Sequence, residues 1–440
     1  MSTPSLEDLP PDLRQAAGWI GECLEREGHQ AWIVGGAVRD LALGLMPAEV
    51  DMATDAPPER IEELFPRTTA VGKAFGTIIV HVERGVVDGE GADISIEVTT
   101  FRSDGAYLDG RRPTEVTYST SVGEDARRRD FTCNALYLGA TSGEFQDTEQ
   151  GLVDLGERRL RCVGDARERF REDGLRLLRL VRFEARFGLT PDPQTLSGAR
   201  DSCAALGGVS AERVRGEFEG ILGTNRPHRA LRRLAELGLL EQALPGWGGL
   251  GPGPQRLELC AGALEALVPG LPLELGLAVL LDPDPSWTGK SDQKAALDLL
   301  EGLRPSRELR RGVTACWRLR EALRLILAGE EPARSERLRL VREESWALAC
   351  RATLAWQSAH AGRLLDGASA ARLDTLEAER GSLTVEELFP APLLTSDDLA
   401  AANVERGPRW GTLLRDLETR QLDLELRTRA EALAWLADVG

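Results

Sequence analysis

Lysine is nearly absent: only three (73, 290 and 294) are found among the 54 basic residues of this 440-residue chain. Arginine therefore carries almost all of the positive charge. Its planar fork suits phosphate oxygens and base edges better than an ammonium does, although genomic base composition produces the same bias. No apolar run approaches the ~18–20 residues of a membrane span, which excludes an integral membrane helix. The opening stretch MSTPSLEDLPPDLRQ is acidic and lacks an apolar core, so no secretory signal is expected. The seven Cys (23, 133, 162, 203, 260, 316 and 350) form no CxxC pair. That spacing argues against a disulfide framework or a zinc ribbon and for reduced thiols in the cytoplasm. Repeats and low-complexity tracts are missing too, and a hydrophobic content of 42% excludes wholesale disorder.

A net charge of −17 disfavours a protein that coats nucleic acid over its whole surface. The deficit is uneven. Residues 101–190 hold 16 Arg against 16 acidic residues, leaving 38 basic against 55 acidic elsewhere. A local basic face is thus compatible with an acidic chain.

The first 150 residues mix periods. A helix is expected over about 11–27 after Pro10-Pro11. AWIVGG then reads as a short strand ending in two glycines, and VRDLALGL as a helix stopped near Pro47. Residues 77–83 and 93–101 read as β-branched strands. Beyond about residue 160 the strand signal gives way to Arg- and Leu-rich helical stretches. They are interrupted by GWGGLGPGP at 246–254 and by ELFPAPLL at 387–394. The pattern predicts a mixed α/β head on a long helical body.

Several segments have the chemistry of a site. In VGGAVRD (34–40), a strand, a double glycine and a helix bring backbone N–H groups towards an anion, and Arg39 adds a charged fork one turn later. The same turn also serves as a plain connection; it is not a P-loop, because GxxxxGK[ST] is absent. In EVDMAT, an extended chain would put Glu49 and Asp51 on one face, and paired carboxylates invite a cation such as Mg²⁺. A solvated loop is the other reading. In ISIEVTTF, Ile94, Ile96 and Val98 share one face, leaving Glu97 on the other with Ser95 and Thr99, either simply exposed or as a third acid.

RRRDFTCN (127–134) and FREDGLRLLRLVRF (170–183) carry the most information. On one helix, Asp173 and Arg176 are i,i+3 neighbours, with Arg179 and Arg182 continuing the row. An ordinary intrahelical ion pair would explain them. So would base reading: an acceptor beside a donor matches the edges of cytosine and adenine and mismatches uracil and guanine, at ~1–3 kcal/mol for each unpaired group.

The ordered set VGGAVRD, EVDMATDA, IEVTTFR, RRRDFTCNALY, FQDTEQGLVDL and REDGLRLLRLVRF resembles the class II tRNA nucleotidyltransferases (CCA-adding enzymes) and bacterial poly(A) polymerases, of the DNA-polymerase-β superfamily. Weaker similarity continues through 226–245 and 393–436. The resemblance implies an α+β head, a polymerase-β-like nucleotidyltransferase with a mixed sheet and helices (1–157). An all-α neck with a base-recognition helix (158–225), a body (226–345) and a tail (346–440) would follow.

By the same resemblance, Gly35, Gly36 and Arg39 hold the triphosphate, and Glu49 and Asp51 bind Mg²⁺, with Glu97 as the third catalytic acid. Arg129, Asp130 and Asn134 would meet the nucleotide's phosphate and ribose. Asp173, Arg176, Arg179 and Arg182 would read the base. In such enzymes the 3′-OH of tRNA attacks the α-phosphate of CTP or ATP, and pyrophosphate leaves.

Two positions depart from the family pattern. Glu49 stands where Asp is usual, adding a methylene, as an inactive RNA-binding homologue would also allow. Gly174 replaces a usual Pro, which is expected to loosen the start of that helix. The segment 103–125 reads as complete, whereas CC-adding members are shortened there, and the acidic tail lacks the basic extension of poly(A) polymerases. CCA addition is therefore the expected activity, ahead of A-only addition and poly(A) synthesis. The four His are isolated, with no HD dipeptide, which excludes an HD-type phosphohydrolase domain.

Overall fold

The computed structural model describes residues 3–72, 76–83, 85, 93–104, 116–251, 253–267, 271–283, 293–361 and 367–439. The chain forms two compact units, Met1–Trp247 and Gly248–Gly440. The break falls within the Gly/Pro-rich run at 246–254, where few side chains are available to pack.

In the first unit, strands β1 (Ala31–Val34), β2 (Asp51–Thr54), β3 (Thr68–Gly72), β4 (Thr77–Val82) and β5 (Ile94–Thr100) join β8 (Leu136–Gly139) and β9 (Phe145–Asp147) in one mixed sheet. Their order is β3-β4-β5-β2-β1-β8-β9. A separate pair, β6 (Arg102–Asp104) and β7 (Val116–Tyr118), is antiparallel. The expectation that segment 103–125 is complete falls partly on residues 105–115, which lie outside the described residues. Alternation explains the β4–β5 half of the sheet. Ile78, Val80 and Val82 are buried with Ile94, Ile96 and Val98, while Ser95 and Glu97 face out. Helix α1 (Pro11–Arg26) starts with proline at its first position and buries Ala16, Ala17, Ile20 and Leu24. A second layer of Trp32, Val34, Ala53, Phe101, Val122, Ala126, Ala135, Tyr137 and Val163 fixes the strand ends nearest the site.

The helices of this unit continue as α2 (Gly36–Ala42), α3 (Pro58–Leu64), α4 (Val122–Arg127), α5 (Gly151–Gly156), α6 (Ala166–Glu172), α7 (Leu175–Phe187), α8 (Pro193–Asp201), α9 (Ala211–Leu222), α10 (Pro227–Glu236) and α11 (Leu239–Ala243). Helix α2 ends well before Pro47, because Gly44 turns the chain with φ +71°. Two short strands, β10 (Arg159–Leu160) and β11 (Thr190–Pro191), pair in parallel, so strand pairing persists beyond residue 160, as far as Pro191.

The stretch expected as one helix over 170–183 is two. Asp173 adopts an extended conformation (φ −145°, ψ 104°) that ends α6, and α7 restarts at Leu175 with Gly174 as its N-cap. At Gly174 a Cβ would overlap the Ala205 carbonyl of a neighbouring 3₁₀ turn. This glycine is therefore not a loosened helix start. It permits a close approach that any other residue, proline included, would block.

The second unit is helical throughout its described residues: α12 (Gly253–Leu267), α13 (Leu273–Leu280), α14 (Gln293–Gly302), α15 (Arg307–Leu327), α16 (Arg334–Val341), α17 (Trp346–Ala361), α18 (Gly367–Ser382), α19 (Val385–Leu388), α20 (Ser396–Ala401), α21 (Pro408–Leu422) and α22 (Arg429–Val439). Its last three helices share a small core of Leu394, Leu399, Leu413, Leu417, Ala432 and Leu436. Among the described residues no helix is long and apolar enough to cross a membrane.

Candidate active site

The site begins where β1 ends. Gly35 follows Val34 with φ +67° and ψ −120°, a region open to glycine and strained for other residues. A Cβ there would also sit 3.1 Å from the Arg129 guanidinium. Gly36 then opens α2. Arg39, expected beside a phosphate, is turned into the protein. It is buried, donates from Nε to Asp40 Oδ1 at 2.8 Å and from Nη1 to Asn134 Oδ1 at 2.7 Å, and lies 4.3 Å from the Phe187 ring centroid. In this arrangement it braces the turn and ties it to α7.

Sheet register brings two of the three expected acids side by side. Asp51 is the first residue of β2, opposite Val34 of β1 and paired in parallel with Glu97 of β5. Glu49 lies outside the strand, in the loop that leads into it. Exposure nevertheless alternates through Glu49, Val50 and Asp51, with the two acids open and the valine buried. Asp51 is accessible yet closely surrounded by protein. Desolvation, reinforced by the negative charges of Glu97 and Glu49 and partly offset by Arg129, pushes its pKa up to about 6. Among the described residues no group of three His, Cys, Asp or Glu side chains forms a ready-made metal cage. Mg²⁺ does not require one: it commonly keeps several waters and takes one or two carboxylates plus substrate phosphates. The negative charge around Asp51, only partly offset by Arg129, fits such a cation.

The segment 128–130 joins this edge of the sheet to the helices that follow. Arg129 turns towards Gly35, bonding the Tyr137 hydroxyl from Nε at 2.8 Å and the Asn134 carbonyl from Nη1 at 3.2 Å. Asp130 turns the other way. It is buried and accepts from Arg179 Nε at 2.7 Å and Asn134 Nδ2 at 2.9 Å. Burial alone would raise its pKa, but Arg179, the Asn134 bond and Arg176 hold it down at about 2. Arg176 donates to the Arg128 carbonyl at 3.1 Å. Phe131 and Phe183 pack edge to face at 5.6 Å. Helix α7 is thus docked on the strip that carries Arg129.

The four expected base-reading residues are all engaged with protein partners. Asp173 and Arg176 meet through the backbone, the Arg176 N–H donating to the Asp173 carbonyl at 3.0 Å, while the Asp173 side chain turns to another partner. Its two oxygens accept from Arg213 Nη1 at 3.1 Å and Nη2 at 2.7 Å, and Oδ1 also caps α7 through the Leu175 N–H at 3.0 Å. Arg176 donates to Glu172 at 2.6 Å and to the Arg169 carbonyl at 2.9 Å. Arg179 pairs with Asp130, and Arg182 donates from Nε to Glu217 Oε2 at 2.8 Å and from Nη2 to Oε1 at 3.3 Å.

Sequence reasoning missed Asp125, Tyr137, Glu172, Arg213 and Glu217. The Asp125–Arg128 and Glu172–Arg176 spacings were visible signals of helical pairing. Arg213 and Glu217 lie 35–40 residues from their partners, and nothing local in the sequence announces them.

The chain resembles known proteins in both sequence and fold. Residues 31–161 match the "Poly A polymerase head domain", and residues 188–248 the "Probable RNA and SrmB- binding site of polymerase A". The CCA-adding enzyme of Lactiplantibacillus plantarum is 38% identical over 321 residues, covering 72% of this chain and 73% of that protein. The chain belongs to the CCA-adding enzyme family. A second family member, from Bacillus subtilis, is 43% identical over 220 residues, covering 50% of this chain and 53% of that one. Against that relative and other curated Bacillus CCA-adding enzymes, the chain spans about half of their length. The crystal structure of Bacillus stearothermophilus CCA-adding enzyme in complex with CTP superposes with a TM-score of 0.74 at 28% identity, covering 98% of both chains. The head-domain match of the family ends at Arg161, just before α6.

Proposed function

We propose that this chain is a template-independent RNA nucleotidyltransferase that adds C and A from CTP and ATP to tRNA 3′ ends, completing CCA. One observation carries the proposal: the strip 128–130 meets the glycine turn and the carboxylate edge through Arg129, and meets the base-reading row through Asp130 and Arg179. A nucleotide laid along that strip would have its phosphates at the sheet edge and its base at α7. The family membership supports the same reading.

In the reaction the terminal 3′-oxygen forms a bond to the α-phosphorus, the bond from that phosphorus to the bridging oxygen of the β-phosphate breaks, and pyrophosphate leaves. A Mg²⁺ bound by Glu49 and Asp51 would supply electrostatic stabilisation of the charge that develops on the phosphoryl oxygens. Glu97, paired with Asp51, completes the acidic edge. The backbone of Gly35 and Gly36 lets the triphosphate approach, with Arg39 behind the turn and Arg129 beside it. Asp130 and Asn134 hold the strip in register and lie on the ribose side. Asp173 accepts from the exocyclic amino group of C or A, and Arg176 donates to the adjacent ring nitrogen. Arg179 and Arg182 flank the base plane. Uracil and guanine present a carbonyl and an N–H at these points and fail both contacts.

The division into head, neck, body and tail belongs to the same proposal, as does a cytoplasmic location, which seven free cysteines support. The test is incorporation of labelled CTP and ATP into tRNA lacking its CCA end, with Mg²⁺ present. The proposal expects label from both nucleotides; a folded protein that incorporates neither would overturn it.

A further inference from the structure

Asp125, on α4, has no part in the chemistry above, yet its side chain is fully buried and gathers donors from three residues. Arg128 Nε donates to Oδ1 at 2.7 Å. The Tyr137 hydroxyl donates to Oδ2 at 2.7 Å, and Arg129 Nη2 to the same oxygen at 3.0 Å. Arg129 Nε reaches both that oxygen, at 3.3 Å, and the Tyr137 hydroxyl, at 2.8 Å.

A guanidinium has five N–H donors in a fixed plane. These bonds, together with the one to the Asn134 carbonyl, occupy Nε–H and one N–H on each terminal nitrogen. One N–H on Nη1 and one on Nη2 are left over. Nη1 lies against Gly35, 3.1 Å from where a side chain would begin. The free edge of Arg129 is therefore held beside the turn proposed to receive phosphate. Val34, the residue before Gly35, pairs with Asp51 across the sheet, so the carboxylate edge lies next to the same turn. An untethered guanidinium would have the carboxylate edge within its field.

We infer that Asp125 is a positioning residue: with Tyr137 it fixes the Arg129 guanidinium edge-on beside Gly35, presenting two N–H groups to the triphosphate and keeping the arginine from closing onto the metal-binding acids. This inference rests on the assignment of Arg129 to phosphate made above. It makes the contact independent of the base, because neither residue belongs to α7.

Equilibrium binding of CTP and of ATP to the full chain, with Mg²⁺, tests it in Arg129→Gln, Asp125→Asn, Tyr137→Phe and the double variants. Loss of a charge-assisted contact predicts that Arg129→Gln and Asp125→Asn each weaken both nucleotides about tenfold. Tyr137→Phe, which keeps the ring in the core, should weaken both about threefold. In the Arg129→Gln background neither second substitution should weaken binding further, an outcome a general structural defect would not give. Wild-type affinity in Asp125→Asn beside a weakened Arg129→Gln overturns the inference and leaves the proposed function standing. Wild-type affinity in Arg129→Gln itself removes both the phosphate assignment and the inference. If Asp125→Asn does not fold, the Tyr137→Phe pair decides: additive losses with Arg129→Gln contradict the positioning role.

Discussion

The carboxylate edge of the sheet and the arginine row of α7 treat charge in opposite ways. At the sheet, Asp51 feels the negative charges of Glu97 and Glu49, partly offset among the described residues by Arg129, and holds its proton up to about pH 6. On the helices each charge has a partner: Asp173 with Arg213, Arg176 with Glu172, Arg179 with Asp130, Arg182 with Glu217. Under the proposed function, the first region is completed by a cation from outside, whereas a nucleobase at the second must exchange with existing partners. Affinity for metal and phosphate is thereby proposed for one region and discrimination between bases for the other.

Removing a charge from the first region should have the largest effect. Asp51→Ala is expected to lower CTP and ATP incorporation by about a thousandfold or more, since metal assistance contributes several kcal/mol. Binding of tRNA, measured by gel shift, should stay nearly unchanged. Turnover equal to wild type would remove the metal assignment.

In the second region the effect should fall on selectivity. Arg176→Ala is expected to cut the preference for C and A over U and G by about 10- to 100-fold, corresponding to ~1–3 kcal/mol per mismatched polar group. Competition between nucleotides in a single reaction measures it, and an unaltered preference would count against base reading by α7.

A smaller effect belongs to the junction at Gly174. Gly174→Ala should destabilise the first unit by about 1–3 kcal/mol through overpacking against Ala205, visible as a lowered thermal midpoint. A midpoint at or above wild type would show that the close approach is not required.

Acid titration separates the two regions by sign. The native pKa of Asp51 is raised, so its contribution to the stability of metal-free protein is present at low pH and lost as pH rises through about 6. Asp125 and Asp130 are depressed to about 2 despite burial, by Arg129 and Arg128 for the one and by Arg179 for the other. Their contribution is present above the ordinary carboxylate range and lost as pH falls towards 2. Mg²⁺ must displace the Asp51 proton, so its affinity should drop by up to about tenfold per pH unit below 6. Calorimetric titration at pH 5 and pH 8 checks this; equal affinities would place the cation elsewhere.

The sheet was the legible part of the molecule. Period-two alternation in 77–83 and 93–101 and the double glycine after AWIV located β4, β5, β1 and the turn, because each is dictated by residues next to one another. The pairing of Asp51 with Glu97 was not legible in the residues themselves: alternation gives the face of each strand but not its neighbour, and only the family resemblance implied a third acid at Glu97. The break at Asp173 was hidden: apolar spacing runs on across it, and the groups packed there, the Ala205 carbonyl against Gly174 and Arg213 on the Asp173 carboxylate, lie some thirty to forty residues away. The inward turn of Arg39 was hidden for the same reason, since its aromatic partners lie on α7. Charge partners distant in sequence leave no local pattern, so Arg213 and Glu217 became visible only in three dimensions.

Under the proposed function, the acidic edge and the α7 row together build a defined 3′ end. Incubating tRNA lacking CCA with all four nucleotides and Mg²⁺, then sequencing the 3′ ends, tests it with wild type beside Asp51→Asn. The wild type should give ends finishing in CCA, free of U and G, and the variant should leave them unextended. Uridine or guanosine in the wild-type ends, or extension by the variant, would contradict it.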